Sequence, residues 1–156
     1  MSHARGALDA RGLRTAVLAA RFNADITDRL LEGALAALRE HGASDPDIEV
    51  VRVPGAWELP QAAARAVASG RFDAVVTLGC VIRGETPHFE FVCSHASLGL
   101  GAVARSADVP VVFGVLTTDD RAQAAARAGE GPDNKGFETA MAALEMVAVL
   151  RALEAG

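Results

Sequence analysis

The 156-residue chain has no tyrosine, one tryptophan and six phenylalanines, so aromatic side chains make up only 4% of it. A core of that composition is filled by many small aliphatic side chains on closely packed elements, which suits helices layered on a sheet. Cysteine is scarce as well. Cys80 and Cys93 are the only thiols, too few for a disulfide framework and without the CxxC spacing of a zinc or redox site. Both read as reduced packing residues. Positive charge is not in excess: 15 Lys and Arg against 20 Asp and Glu leave a net charge of −5. That argues against a nucleic-acid partner, whose phosphates call for a basic face. No run approaches the ~18 apolar residues of a membrane span, and the opening MSHARGALDARG lacks the apolar stretch of a secretory signal. A cytoplasmic location without membrane contact is expected.

What is present suffices for one packed domain over residues 1–156, with 51% hydrophobic and 22% charged residues. After a polar arm at 1–12, short apolar runs alternate with longer segments of helical period, the pattern of stacked βαβ units. LRTAVLAARF (13–22), IEVVRVPG (48–55), DAVVTLGCVI (73–82) and PVVFGVLTT (110–118) read as strands. Each is nearly continuous in apolar residues, as expected of parallel strands buried on both faces. Helices are expected at 25–41, 57–69, 88–107, about 120–128 and about 134–154. The first presents Leu30, Leu31, Ala34, Leu35 and Leu38 on one stripe. The last carries two: Phe137, Met141, Leu144 and Ala148 to cover the sheet, and Met146, Leu150 and Leu153 in need of another partner, a neighbouring helix or another subunit. Gly99 and Gly101 sit inside the third helix at a cost of roughly 1 kcal/mol each against Ala, so close helix contact is expected there. Residues 129–133 form the clearest break.

In an open parallel sheet, ligands bind beyond the carboxyl ends of the strands. The segments there are 21–23, 53–58, 79–88 and 115–120. In the third, Gly84 permits a tight turn, Thr86 offers a hydroxyl and Pro87 suits a first helical position. This is either plain capping or an anion cradle of backbone N–H groups at a helix start. His88 in the first turn beside it is a candidate acid or base. Glu85 would repel an anion, so its side chain is expected in solvent or paired with a cation such as Arg83. Arg127 and Lys135 read as surface charges or as the countercharge of a phosphate. Phe22 and Phe113 read first as core residues and alternatively as a surface on which a flat ring stacks. Glu58, after Trp57, complements a helix start or accepts from substrate hydroxyls. Histidines 3, 41, 88 and 95 show no metal spacing beyond a poor i, i+7 pair, and Cys80, inside an apolar strand, has no local reason to be a thiolate.

Taken in order and spacing, RFN, VPGAWELP, GCVIRGETPHFEFVC and NKGFE resemble the lumazine synthase family, from about residue 6 to the last helix. The resemblance implies a flavodoxin-like three-layer α/β/α sandwich around a four-stranded parallel sheet, with the N-terminal arm adding a strand to a neighbouring subunit. It implies an enzyme condensing 5-amino-6-ribitylaminouracil with 3,4-dihydroxy-2-butanone 4-phosphate, using no redox cofactor and no metal. By the family pattern Phe22 stacks on the pyrimidine, while Ala56, Trp57, Glu58, Cys80, Val81 and Ile82 hold the ring and ribityl chain. Glu85 and Thr86 supply the phosphate cradle, Arg127 its countercharge and His88 the proton carrier. Phe113 closes the pocket from a neighbouring subunit, and Lys135 lies close to the ligands. Family members form homopentamers and in some cases hollow shells of sixty chains, with riboflavin synthase as a further partner. Shell-forming relatives often carry a GTKAGN-like turn, where this chain has GEGPDN, equal in length and different in composition. A non-catalytic flavin- or lumazine-binding protein on this scaffold is the main rival, since it would keep Phe22 and Glu58. A flavodoxin-like electron carrier fits less well, for lack of a Ser/Thr-rich loop after the first strand.

Overall fold

The computed structural model describes residues 8–156; residues 1–7, most of the arm expected over 1–12, lie outside the described residues. Four strands alternate with helices: β1 (Thr15–Ala20), α1 (Ala24–Glu40), β2 (Ile48–Val53), α2 (Leu59–Ala68), β3 (Ala74–Ile82), α3 (His88–Ser106), β4 (Val111–Thr118), α4 (Arg121–Ala126) and α5 (Lys135–Ala155). Single 3-10 turns lie at Asp45–Asp47 and Ala56–Glu58. The sheet runs β2-β1-β3-β4 and every pairing is parallel, with Thr15 opposite both Ile48 and Ala74, and Val75 opposite Val111. This is the expected α/β sandwich. Strand order reverses beside β1, which leaves a crevice beyond the carboxyl ends of β1 and β3.

Alternation along the strands divides the interior in two. Val17, Ala19, Val76, Leu78 and Cys80 meet Leu30, Leu38 and Leu144 from α1 and α5 on one side. Ala16, Leu18, Val53 and Val75 meet Leu59, Ala63, Ala96 and Leu100 from α2 and α3 on the other. β1 is buried along its whole length. The two outer strands depart from the expectation of burial on both faces: Val50 and Val51 of β2 and Phe113 of β4 are exposed, because an edge strand lacks a neighbour on one side.

The inner face of α5 also differs from the expected stripe. Gly136, Thr139, Ala140, Ala143, Leu144 and Val147 are buried, while Phe137, Met141 and Ala148 are only half-buried. The reason is the closeness of α1 at the start of the helix: a Cβ on Gly136 would run into the backbone of Leu30, so small residues face inward there, while Leu144 of the expected stripe is buried further along. Asn134 fixes this junction. Its side-chain oxygen accepts from the N–H groups of Gly136 (2.8 Å) and Phe137 (3.1 Å), and its amide donates to the carbonyls of Gly129 (2.8 Å) and Arg29 (3.1 Å). Of the second stripe, Met146 and Leu153 are exposed and Leu150 is half-buried. Gly99 meets the close contact expected of it, since a Cβ there would stand 2.8 Å from the ring of Pro60 on α2; Gly101 faces open space. Among the described residues no helix is long and apolar enough to cross a membrane.

Candidate active site

β1 ends at Ala20, and the chain turns into α1 through Asn23, held left-handed at φ 61°, ψ 49°. Asparagine tolerates that region better than most residues, and here its side chain is tied down. Its amide donates to the Cys80 carbonyl at 2.9 Å, and its oxygen accepts from Arg121 at 3.1 Å. Arg121 in turn pairs with Asp25 at 2.6 Å and holds that carboxyl below its usual range. Exposed ion pairs add little to stability, so the effect of this lock is positional: it fastens β1, β3 and α4 together where the crevice opens. Phe22 is thereby turned outward, with 71% of its surface exposed. Its role as a core residue is overturned.

The crevice has a volume of about 470 Å³. Phe22, Ala56, Trp57 and Glu58 form one wall, and Cys80, Val81 and Ile82, the end of β3, form the floor. Gly84, Thr86 and His88 form the opposite rim. Pro54 and Gly55, within the expected segment 53–58, also line it, as do Phe89 and Val92; the last two lie beyond the expected segments, and nothing in their type suggests chemistry. Pro87 is the residue before the helix and not its first member, and no side chain caps the first turn of α3. Plain capping by Thr86 is therefore not what this turn does; the Glu90 N–H donates to the Pro87 carbonyl at 3.1 Å, which leaves the N–H groups of His88 and Phe89 as the ones the turn can offer at the rim. His88 is exposed there and does not point into the core.

Arg83 does not pair with Glu85. It bonds the Glu90 carboxylate and Asp119 (3.0 Å) and lies 4.4 Å over the Phe89 ring, which lowers the Glu90 pKa. Glu85 turns to solvent, the other expected outcome. Arg83 thus staples the β3–α3 turn to α3 and to the end of β4.

Burial raises the Cys80 thiol from 9.0 to about 11, the nearby Arg121 opposing and Asp25 adding slightly. A thiol that stays protonated at neutral pH is no nucleophile. Native protein is expected to react with iodoacetamide at Cys80 far more slowly than unfolded protein between pH 8 and 9; equal rates would show an exposed, ionised thiol. Because the folded value lies above the unfolded one, the thiol favours folding below about pH 9, and that contribution is lost as pH rises towards 11.

Three expected residues lie elsewhere. Phe113 and Lys135 border a hollow on the β4 and α5 side, and Arg127 shares a second one with Lys135, Thr117 and Thr118. Phe113 is 40% exposed, and Arg127, just after α4, donates to the Gln123 carbonyl at 2.9 Å. These residues gather at the β4 edge and do not line the crevice of their own chain. Among the described residues no group of three His, Cys, Asp or Glu side chains is placed to hold a metal ion.

A parallel sheet whose switch point opens on a crevice with an apolar floor and a few polar side chains defines an α/β protein with a small-molecule site. The family described as 6,7-dimethyl-8-ribityllumazine synthase matches residues 12–151. A 6,7-dimethyl-8-ribityllumazine synthase of Desulfatibacillum aliphaticivorans is 53% identical over 142 residues, covering 91% of this chain and 92% of that relative. The chain belongs to the 6,7-dimethyl-8-ribityllumazine synthase family, transferases that form a lumazine in riboflavin biosynthesis.

Proposed function

We propose that the protein condenses 5-amino-6-(D-ribitylamino)uracil with 3,4-dihydroxy-2-butanone 4-phosphate to give 6,7-dimethyl-8-ribityllumazine, phosphate and water, the penultimate step of riboflavin formation. The observation that carries this reading is the division of the expected residues other than Glu85 into two groups, one lining the crevice and one at the β4 edge. Two copies of the chain set side by side would close one site from both: Phe22, Trp57 and Glu58 for the aminouracil, Thr86 and the first turn of α3 for the phosphate, and Phe113, Arg127 and Lys135 from the neighbour. The protein is then a homo-oligomer with sites between subunits, and a homopentamer is the proposed form. A shell of sixty chains and a complex with riboflavin synthase have only the family resemblance behind them.

The chemistry needs little more than such a site offers. The aromatic amine attacks the ketone and an imine forms with loss of water. Phosphate leaves by elimination, and the ribityl-bearing nitrogen closes the ring with loss of a second water. Each step moves a proton, and one expels an anion. His88 is the proton carrier, since its ring stands at the rim where the phosphate ester would lie. Phe22 and the 56–58 wall hold the pyrimidine against it, and this orientation of two already reactive partners supplies much of the acceleration. Mixing the protein with both substrates should give lumazine fluorescence with matching release of orthophosphate. Absence of both products at any protein concentration would sink the proposal.

A further inference from the structure

Successive turns on one face of α3 carry His88, Val92, His95 and Gly99, residues four, seven and eleven places along from the first. His88 and Val92 line the crevice. His95 lies flat on the indole of Trp57, with ring centroids 3.6 Å apart and planes inclined by 20°. Its Nε2 is also 3.0 Å from the backbone carbonyl of the same Trp57, so a ring protonated at Nε2 donates there. One turn on, Gly99 leaves room for Pro60 to dock. The 57–60 segment is thus gripped at both ends by α3: by ring and hydrogen bond at Trp57, by close packing at Pro60. That segment includes Glu58 and overlaps the 3-10 turn Ala56–Glu58, whose residues form the crevice wall.

We propose that His95 is a positioning residue for the aminouracil half of the site. It touches no substrate in this reading, which rests on the function proposed above. Its work is to fix the plane of Trp57 and the path of the backbone that carries Glu58. Trp57 is half-exposed, 51% accessible, and among the described residues His95 is the ring stacked on it; a wall free to rotate would lose the preorganisation that orients a planar ligand. The phosphate rim at Thr86 is held separately by Arg83, so His95 should act on one substrate only.

The test is steady-state kinetics of His95→Ala, His95→Gln and His95→Phe, each substrate varied in turn. Trp57 emission supplies a second readout, because it is the only tryptophan. His95→Ala is expected to raise the KM for the aminouracil about tenfold, the size of one neutral hydrogen bond and a stacked contact, with kcat and the KM for the phosphate ester within about twofold. His95→Gln, which keeps a donor, and His95→Phe, which keeps a ring, should each restore part of the loss. In His95→Ala, acrylamide should quench Trp57 more strongly than in the parent protein. An unchanged KM for the aminouracil, or an equal loss on both substrates, overturns the proposal. If the parent protein does not turn over this substrate pair, the proposed function fails by itself. The grip on Trp57 is then decided by quenching alone: stronger quenching in His95→Ala supports it and unchanged quenching overturns it.

Discussion

Arg127→Ala should raise the KM for the phosphate-bearing substrate by about 30- to 100-fold, the loss expected when a forked, charge-assisted contact to a phosphate is removed. The KM for the aminouracil and the thermal midpoint should scarcely move. Arg127 is exposed, and among the described residues its side chain makes one hydrogen bond, to the Gln123 carbonyl of α4; its two backbone bonds, to Ala124 and from Lys135, survive the substitution, so little of the fold depends on the guanidinium and its other donors are available to an anion. Arg127→Lys keeps the charge without the fork and should fall between the two. Titrating orthophosphate as a competitive inhibitor gives an independent check, since its affinity should fall in step. Equal weakening of both substrates would show that Arg127 shapes the site generally and does not bind the phosphate.

Much of this site was legible because parallel strands announce themselves. β1 and β3 are continuous apolar runs ending in Arg21, Phe22 and Asn23 and in Arg83 and Gly84, and the rule that ligands sit beyond such ends selects the segments that meet in the crevice. Less legible was anything decided by which neighbour a strand has. β2 and β4 carry the same apolar pattern as the inner strands, yet Val50, Val51 and Phe113 are exposed, since nothing in their own sequence states that these strands are edges. The inner face of α5 misled for a related reason. Large residues at helical spacing look like a core stripe, whereas contact with α1 selects Gly136, Ala140 and Ala143 instead. The partners of His95 and Arg121 were invisible, because a stacked ring and a cross-sheet lock join residues far apart in the chain, 38 positions between His95 and Trp57 and 98 between Arg121 and Asn23.

Co-expressing His88→Ala and Arg127→Ala chains should restore activity that neither has alone. Under low concentrations of the phosphate ester, Arg127→Ala should be nearly silent, and His88→Ala should run at about 10²-fold below the parent or somewhat better, a modest general acid and base effect because amine and ketone are intrinsically reactive. His88 lies at the crevice and Arg127 at the β4 edge of the same chain. If each site combines the crevice of one chain with the edge of the next, random mixing of equal amounts leaves about a quarter of interfaces with both residues intact. Activity should therefore recover to about that fraction of the parent, while the double variant His88→Ala/Arg127→Ala, mixed with either single variant, should recover none. A site completed within one chain gives no recovery in any mixture, since every chain then lacks one of its two groups. A closed ring and a two-fold pair both give about a quarter, because in either case a site draws its crevice and its edge from two independently chosen chains, so the recovery reports that sites are shared between chains and not how many chains the assembly holds.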